Sequence, residues 1–275
     1  MEGKRVLITG GNSGIGLVTA RELASMGAEV ILACRDTEKT AEALKVIALK
    51  AIKPPINLPV ELSSLISVRS VASNFLERFD SLDVLINNAG VFPSRQQFTE
   101  DGFEMQMGVN HLSHFLLTHL LLDCLKSSNS ARVISVSSTL HKKSSMDLDT
   151  FTGFTKYNAS TAYNQSKLAN VMFALELAKR LKGTGVTSNV LHPGAVKTDI
   201  IRDLPWIIRA IIGLIFISPE KGAATSIMLA SDPSLESETG QYFDQGKIAT
   251  YSRLADNEKE RLALWQASTA AVGLS

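Results

Sequence analysis

The chain has 275 residues, 45% of them hydrophobic, and a formal net charge of +1. That is ample apolar material for a large buried core. Lysine and arginine are spread along the chain without a basic stripe, which argues against a nucleic-acid-binding protein. Cys34 and Cys124 lie in apolar segments and make no disulfide framework. They read as small core residues in a reducing compartment, so a cytoplasmic location is expected. Met1 to Arg5 leads directly into Val6-Leu7-Ile8, so no secretory leader is expected. No run reaches the ~20 apolar residues that a bilayer span requires.

The first element is a strand over residues 5–9, followed by Thr9-Gly10-Gly11-Asn12-Ser13-Gly14-Ile15-Gly16 and a helix over 14–26. Glycine permits close backbone approach to a phosphate, and the helix N-terminus offers unpaired N–H groups to it. Strand, glycine loop and helix at the chain start therefore predict a dinucleotide site, with Gly10, Asn12, Ser13, Gly14, Ile15 and Gly16 around the pyrophosphate. A strand over 29–34 follows, ending in Leu32-Ala33-Cys34-Arg35-Asp36. An acidic side chain there would suit a ribose 2′-hydroxyl, and an arginine a 2′-phosphate. Asp36 has the customary distance from the glycines, but it or Thr37 is placed to cap the helix over 38–50. Arg35 is the first side chain beyond the strand, so NADP(H) is expected over NAD(H).

Further strands are expected at 56–61, 84–87, 132–137, 187–191 and 242–243, and helices at 64–79, 103–126, 159–182, 219–230 and 258–271. This alternation implies right-handed crossovers and a doubly wound parallel sheet, with helices on both faces. No linker, repeat or low-complexity tract divides the chain, so one Rossmann-type α/β domain is expected over 1–275. Such sheets bind ligands at the carboxyl ends of their strands. Asn87-Asn88-Ala89-Gly90, Ser137-Ser138 and His192-Pro193-Gly194 follow strands in that way.

Tyr163 and Lys167 stand four residues apart in a helical pattern and so share one face. A tyrosine ordinarily ionises near pH ~10, and a neighbouring ammonium lowers that value toward the range of acid–base work. Tyr157 is the rival, but four residues after it stands Thr161, which carries no charge. His111, His114 and His119 invite a metal reading; their helical spacing is imperfect and no acidic partner is evident, so no metal is expected.

Together Thr9–Gly16, Asn87–Gly90, Asn110, a serine after the fifth strand, and Tyr163 with Lys167 resemble the short-chain dehydrogenase/reductase family. Residues 99–104, 109–118 and 163–170 resemble its retinol dehydrogenase-like branch, which usually prefers NADP(H). The resemblance implies hydride transfer between nicotinamide and a carbonyl or alcohol. In the reductive direction Tyr163 gives a proton to the carbonyl oxygen, and Lys167 supports the phenolate and holds the nicotinamide ribose. Asn110 holds a water linking Lys167 to solvent. Ser137 and Ser138 point to opposite faces, and the family places its serine at the second position, so Ser138 is the expected partner of the substrate oxygen. Asn87, Ala89, Gly90 and Leu62 would border the cofactor; Pro193, Gly194, Val196 and Thr198 would border its carboxamide.

Two departures stand out. Glu61 replaces an aspartate common near the adenine, and Ser113 replaces a common glycine. A substrate loop is expected at about 198–219. Its apolar stretch, 200–217, reads equally as a lid over a greasy substrate, a buried helix pair or a shallow membrane contact. The expected substrate is a hydrophobic aldehyde, ketone or alcohol resembling a retinoid, steroid or lipid carbonyl. The alternatives are a reductase of small xenobiotic carbonyls and a non-catalytic NADP(H)-sensing protein. In this family the helices matching 103–126 and 159–182 often pair across a dimer axis, which leaves a homodimer open.

Overall fold

The structure is a computed structural model and describes residues 1–194 and 218–274. Its strands are β1 (Arg5–Thr9), β2 (Glu29–Cys34), β3 (Ile56–Pro59), β4 (Val84–Asn87), β5 (Ala131–Val136), β6 (Val186–His192), β7 (Tyr242–Asp244) and β8 (Lys247–Ile248). They form one sheet in the order β3-β2-β1-β4-β5-β6-β7-β8. Every pairing is parallel except that of β7 with the short β8, which sequence reading did not anticipate. β1 shows why the apolar runs are unbroken: Val6, Leu7, Ile8 and Thr9 are all fully buried, because helices cover both faces. The expected strand 56–61 stops at Pro59; Glu61 has turned away, and its carboxylate accepts the Ser63 backbone N–H at 3.1 Å.

Helices α1 (Gly14–Ser25), α2 (Glu38–Ala48) and α3 (Leu65–Leu76) follow the first three strands. Thr37, not Asp36, caps α2, its hydroxyl accepting from the Thr40 N–H at 3.3 Å. The helix expected over 103–126 is broken. It consists of α4 (Met105–Met107), a π-turn over Gly108–Leu112, α5 (Ser113–Leu120) and α6 (Leu122–Lys126). The wide turn is closed by the Ser113 N–H donating to the Gly108 carbonyl, while the single Ser113 hydroxyl proton lies between the Leu62 carbonyl at 2.5 Å and the Gly108 carbonyl at 3.0 Å. The hydroxyl at this family-atypical position therefore braces the turn. Such turns tend to occur at functional sites, and Asn110 lies inside this one.

The remaining helices are α7 (Ala159–Arg180), α8 (Pro219–Ser231), α9 (Arg253–Asp256) and α10 (Glu258–Ala271). No helix among the described residues is long and apolar enough to cross a membrane. The apolar segment 200–217, with Val196 and Thr198, lies outside the described residues.

The C-terminal helix lies against the two helices on which a homodimer was left open. Trp265 of α10 meets Phe115 edge-on at 5.0 Å and stacks on Phe173 at 6.0 Å. The Arg180 guanidinium sits 4.2 Å from the Trp265 ring centre. His111 and Ser268 are 2.8 Å apart, and Lys179 pairs with Glu258. A partner chain using this face of α5 and α7 would have to displace α10. Trp265→Ala should cost on the order of 2–3 kcal/mol, below the range for fully buried tryptophans because the ring stays partly exposed. Urea unfolding measures this; a loss under about 0.5 kcal/mol would show that α10 does not clamp the helix pair.

Candidate active site

The expected residues that the structure describes collect at the carboxyl edge of the sheet, where β1 and β4 diverge to opposite sides. On the β1 side a glycine is required at position 16: a Cβ there would collide with the Gly10 carbonyl and lie 2.6 Å from Asn88 Nδ2. Gly10 itself adopts φ +66, in the left-handed region. α1 begins behind this loop with Ser13 as N-cap, making no side-chain capping bond, and with no acidic residue in its first turn. Its N-terminal amides and positive dipole end are thus left for an anion, which fits a dinucleotide pyrophosphate. Asn12 Nδ2 donates to the Thr40 hydroxyl at 2.9 Å, and that hydroxyl donates to the Arg35 carbonyl at 2.7 Å, fixing loop and β2 end together.

The Arg35 side chain is 72% exposed and stands 3.7 Å from the Glu61 carboxylate. Glu61 is held in turn by the Ser63 N–H and hydroxyl, at 3.1 and 2.9 Å. Leu62 is buried, and its carbonyl accepts from the Ser113 hydroxyl. Cys34 is buried beneath the loop; burial pushes its thiol up to about 11 even though loop amides face it.

On the β4 side the asparagine pair splits. Asn87 turns its amide into the core, donating to the Thr118 hydroxyl at 3.0 Å. Asn88, which sequence reading did not single out, donates to the Thr9 carbonyl at 2.8 Å. The Asn88 and Ala89 N–H groups both donate to the Thr9 hydroxyl at 3.0 Å. Gly90 then passes close to the core of the site: a Cβ there would lie 3.4 Å from both Asn110 Oδ1 and Lys167 Nζ. Asn110 is clamped, accepting the Val91 N–H at 2.7 Å and donating to the Ser166 hydroxyl at 3.0 Å. Ser166 donates to the Tyr163 carbonyl at 2.8 Å, which ties α7 to the π-turn.

Tyr163 and Lys167 share a face of α7, but not as expected. Lys167 Nζ lies 5.6 Å from the Tyr163 ring centre and donates to the Val136 carbonyl at 3.1 Å. Burial prefers a fixed backbone acceptor for this ammonium, which is 2% exposed. The anticipated lowering of the tyrosine is absent: desolvation pushes Tyr163 up to about 12 and Lys167 down to about 8. The Tyr163 hydroxyl has no hydrogen-bond partner among the described residues. Tyr157, by contrast, is committed: its hydroxyl accepts from Gln106 at 2.9 Å and donates to the Pro93 carbonyl at 3.1 Å. Phe92 packs edge-on against Tyr163 at 5.1 Å and adds an apolar neighbour that no sequence motif marked.

The two serines diverge as strand alternation predicts. Ser137 donates to the Lys167 carbonyl at 2.7 Å. Ser138 caps the short helical turn Thr139–Lys143, its oxygen accepting from Leu140 N–H at 3.3 Å, so its own proton is free to donate. Beyond β6, Pro193 and Gly194 close the edge, Gly194 at φ +87. No cluster of potential metal ligands occurs among the described residues.

A parallel sheet whose glycine loop faces a clamped asparagine and a tyrosine–lysine pair belongs to a known class. The short chain dehydrogenase family model matches residues 4–205, and the chain belongs to that family. Within it the chain falls in the retinol dehydrogenase-like branch. It is 45% identical to human "Retinol dehydrogenase 14" over all of this chain and 88% of that protein. It is 44% identical to human "Retinol dehydrogenase 13" over 99% and 85%. Among solved structures, one from Mycobacterium paratuberculosis superposes with TM-score 0.82 at 34% identity, covering 100% of this chain and 95% of that one. The Pseudomonas aeruginosa RhlG/NADP active-site complex superposes with TM-score 0.73 at 29% identity, over 89% and 95%. The chain is an oxidoreductase of the short-chain type.

Because burial raises Tyr163, it stays a neutral phenol above pH ~10, where an exposed tyrosine ionises. The ultraviolet difference spectrum between the cofactor-free protein and Tyr163→Phe should show phenolate only well above that pH. Ionisation near or below pH ~9 would contradict the desolvated site.

Proposed function

We propose that this chain is an NADP(H)-dependent oxidoreductase that interconverts a hydrophobic aldehyde or ketone and its alcohol. The observation that carries the reading is the meeting of Gly90, Asn110 and Lys167 within one helical turn of Tyr163, whose hydroxyl is unengaged. The bound nicotinamide would supply or accept the hydride. Reduction needs one proton at the carbonyl oxygen, and Tyr163 would give it. Lys167, brought to about 8 by burial, can exchange a proton near neutral pH and return one to the tyrosine. Ser138 would donate its free hydroxyl hydrogen to the same substrate oxygen and stabilise the charge that builds there. Asn110 would hold the water that links Lys167 to solvent.

Gly10, Asn12, Ser13, Gly14, Ile15 and Gly16 would cradle the pyrophosphate. Ala89, Gly90 and the carbonyl-bearing backbone at Leu62 would border the nucleosides, and Pro193, Gly194, Val196 and Thr198 the carboxamide. Arg35 supports NADP(H), since it is the first side chain beyond β2 and is 72% exposed, with, among the described residues, only the Glu61 carboxylate at 3.7 Å to draw it from a 2′-phosphate. The names of the curated relatives and the apolar Phe92 beside Tyr163 support a greasy substrate, which segment 200–217 would help enclose. Two buried free cysteines suit the reducing cytoplasm, with contact at a membrane surface compatible with the same segment.

Turnover of retinoid, steroid and aliphatic carbonyls with NADPH tests the reading. Tyr163→Phe should lower kcat by at least ~100-fold, the lower range for a lost general acid; full activity would sink the assignment. NADPH binding without turnover across the panel would favour a sensing protein. Arg35→Ala should weaken NADPH by ~10-fold or more while changing NADH little, as read by fluorescence titration. Glu61→Gln should have the opposite effect, tightening NADPH severalfold at low salt by freeing Arg35 from its carboxylate. Equal effects on the two cofactors would refute the role of Arg35.

A further inference from the structure

His114 is 2% exposed and joins the two halves of the site. Its Nε2 lies 2.8 Å from the Thr9 hydroxyl oxygen, and its Nδ1 lies 3.1 Å from the Asn110 carbonyl. A carbonyl only accepts, so the ring proton is on Nδ1 and Nε2 is the acceptor. The Thr9 oxygen receives the Asn88 and Ala89 N–H groups, so its own proton is left to donate, and Nε2 stands ready to take it. Among the described residues the one competing acceptor for that hydroxyl is the Ile86 carbonyl, farther off at 3.5 Å. Every proton in the chain from the Asn88–Ala89 turn through Thr9 and His114 to Asn110 thus has one consistent place. A second proton on the ring would point Nε2–H at an oxygen with both lone pairs engaged. Burial already holds the imidazole down to about 4, and Lys167 opposes a charge there as well. His111, the other nearby titratable ring, is itself held neutral, at about 3.

We propose that His114 is a positioning residue for the reaction: a neutral imidazole, protonated on Nδ1, that locks the Asn110 carbonyl and the cofactor-side Asn88–Ala89 turn into one unit. The proposal rests on the oxidoreductase reading, and concerns residues that touch Asn110 and Thr9 rather than the reacting atoms. Breaking the Nδ1 link loosens the turn that carries Asn110. Breaking the Nε2 link loosens the backbone that borders the nicotinamide ribose. The two links therefore act on different kinetic quantities.

Nitrogen-15 spectra of the imidazoles of the wild-type protein, with and without NADPH, test the proton's place without any substrate. His114, assigned by comparison with His114→Gln, should carry its proton on Nδ1 and show no titration between about pH 6 and about pH 9. A proton on Nε2, or a titration in that window, overturns the proposal. Kinetics dissect the links. His114→Gln can offer an acceptor near the Nε2 position and should keep NADPH affinity within about twofold while kcat falls about tenfold. His114→Asn can offer a donor near the Nδ1 position and should do the reverse. If both behave as His114→Phe, or all three as wild type, the ring is mere packing and the coupling is refuted. A wild-type protein that binds NADPH and turns over nothing would fail the oxidoreductase reading instead, and the spectra would still decide the tautomer.

Discussion

The site depends on how the sheet satisfies its backbone where β1 and β4 part. At that switch point two turns leave the ladder, and their amides lose strand partners in a buried place. An unpaired buried amide costs as much as a lost hydrogen bond. Thr9 answers with one hydroxyl that takes two amides, and Asn88 answers with one amide that reaches the Thr9 carbonyl. The glycines follow from that closeness: position 16 has no room for a side chain against Gly10 and Asn88. The cleft that fits a dinucleotide is therefore the space left when these turns are held tightly together.

The tyrosine–lysine pair proposed to handle the proton sits on the far wall of the same cleft and is governed by desolvation. Tyr163 and Lys167 are drawn toward their neutral forms, in opposite directions on the pH scale, and neither is the other's hydrogen-bond partner. In this state the proton belongs to the tyrosine, which suits a group that must donate it to a carbonyl oxygen. The lysine is held by Val136, two residues before Ser138, so β5 sets the depth of the ammonium and the start of the serine turn together. Asn110 completes the wall because the π-turn, braced by Ser113, points it at the Val91 backbone rather than along a regular helix.

Much of this was legible in residue patterns. The strands are near-continuous apolar runs because both faces of the sheet are covered, and β1, β2 and β4 fall where the pattern placed them. Cap chemistry at Thr37 and the pairing of Tyr163 with Lys167 on one face followed from local rules. The Gly108–Leu112 turn was not legible, since its sequence continues a helical period and the break is held by bonds from Ser113 to the distant Leu62 carbonyl and from Asn110 to the Val91 backbone. Thr9, Asn88 and His114 stood in motifs the sequence displays, but the bonds between them were not legible for the same reason: Thr9 meets Asn88 and His114 across 79 and 105 positions of chain. The docking of α10 on Phe115 and Phe173 likewise turns on one aromatic, Trp265, whose partner the sequence does not name.

In the proposed reduction a hydride leaves the nicotinamide while Tyr163 delivers the proton. Reduction of a long-chain aldehyde with NADPH deuterated at the transferred C4 position tests it most directly. The expected product is an alcohol carrying one deuterium on its former carbonyl carbon, formed by the wild-type protein and almost not at all by Tyr163→Phe. An alcohol without that deuterium, or the same labelled product at the same rate from Tyr163→Phe, would contradict it.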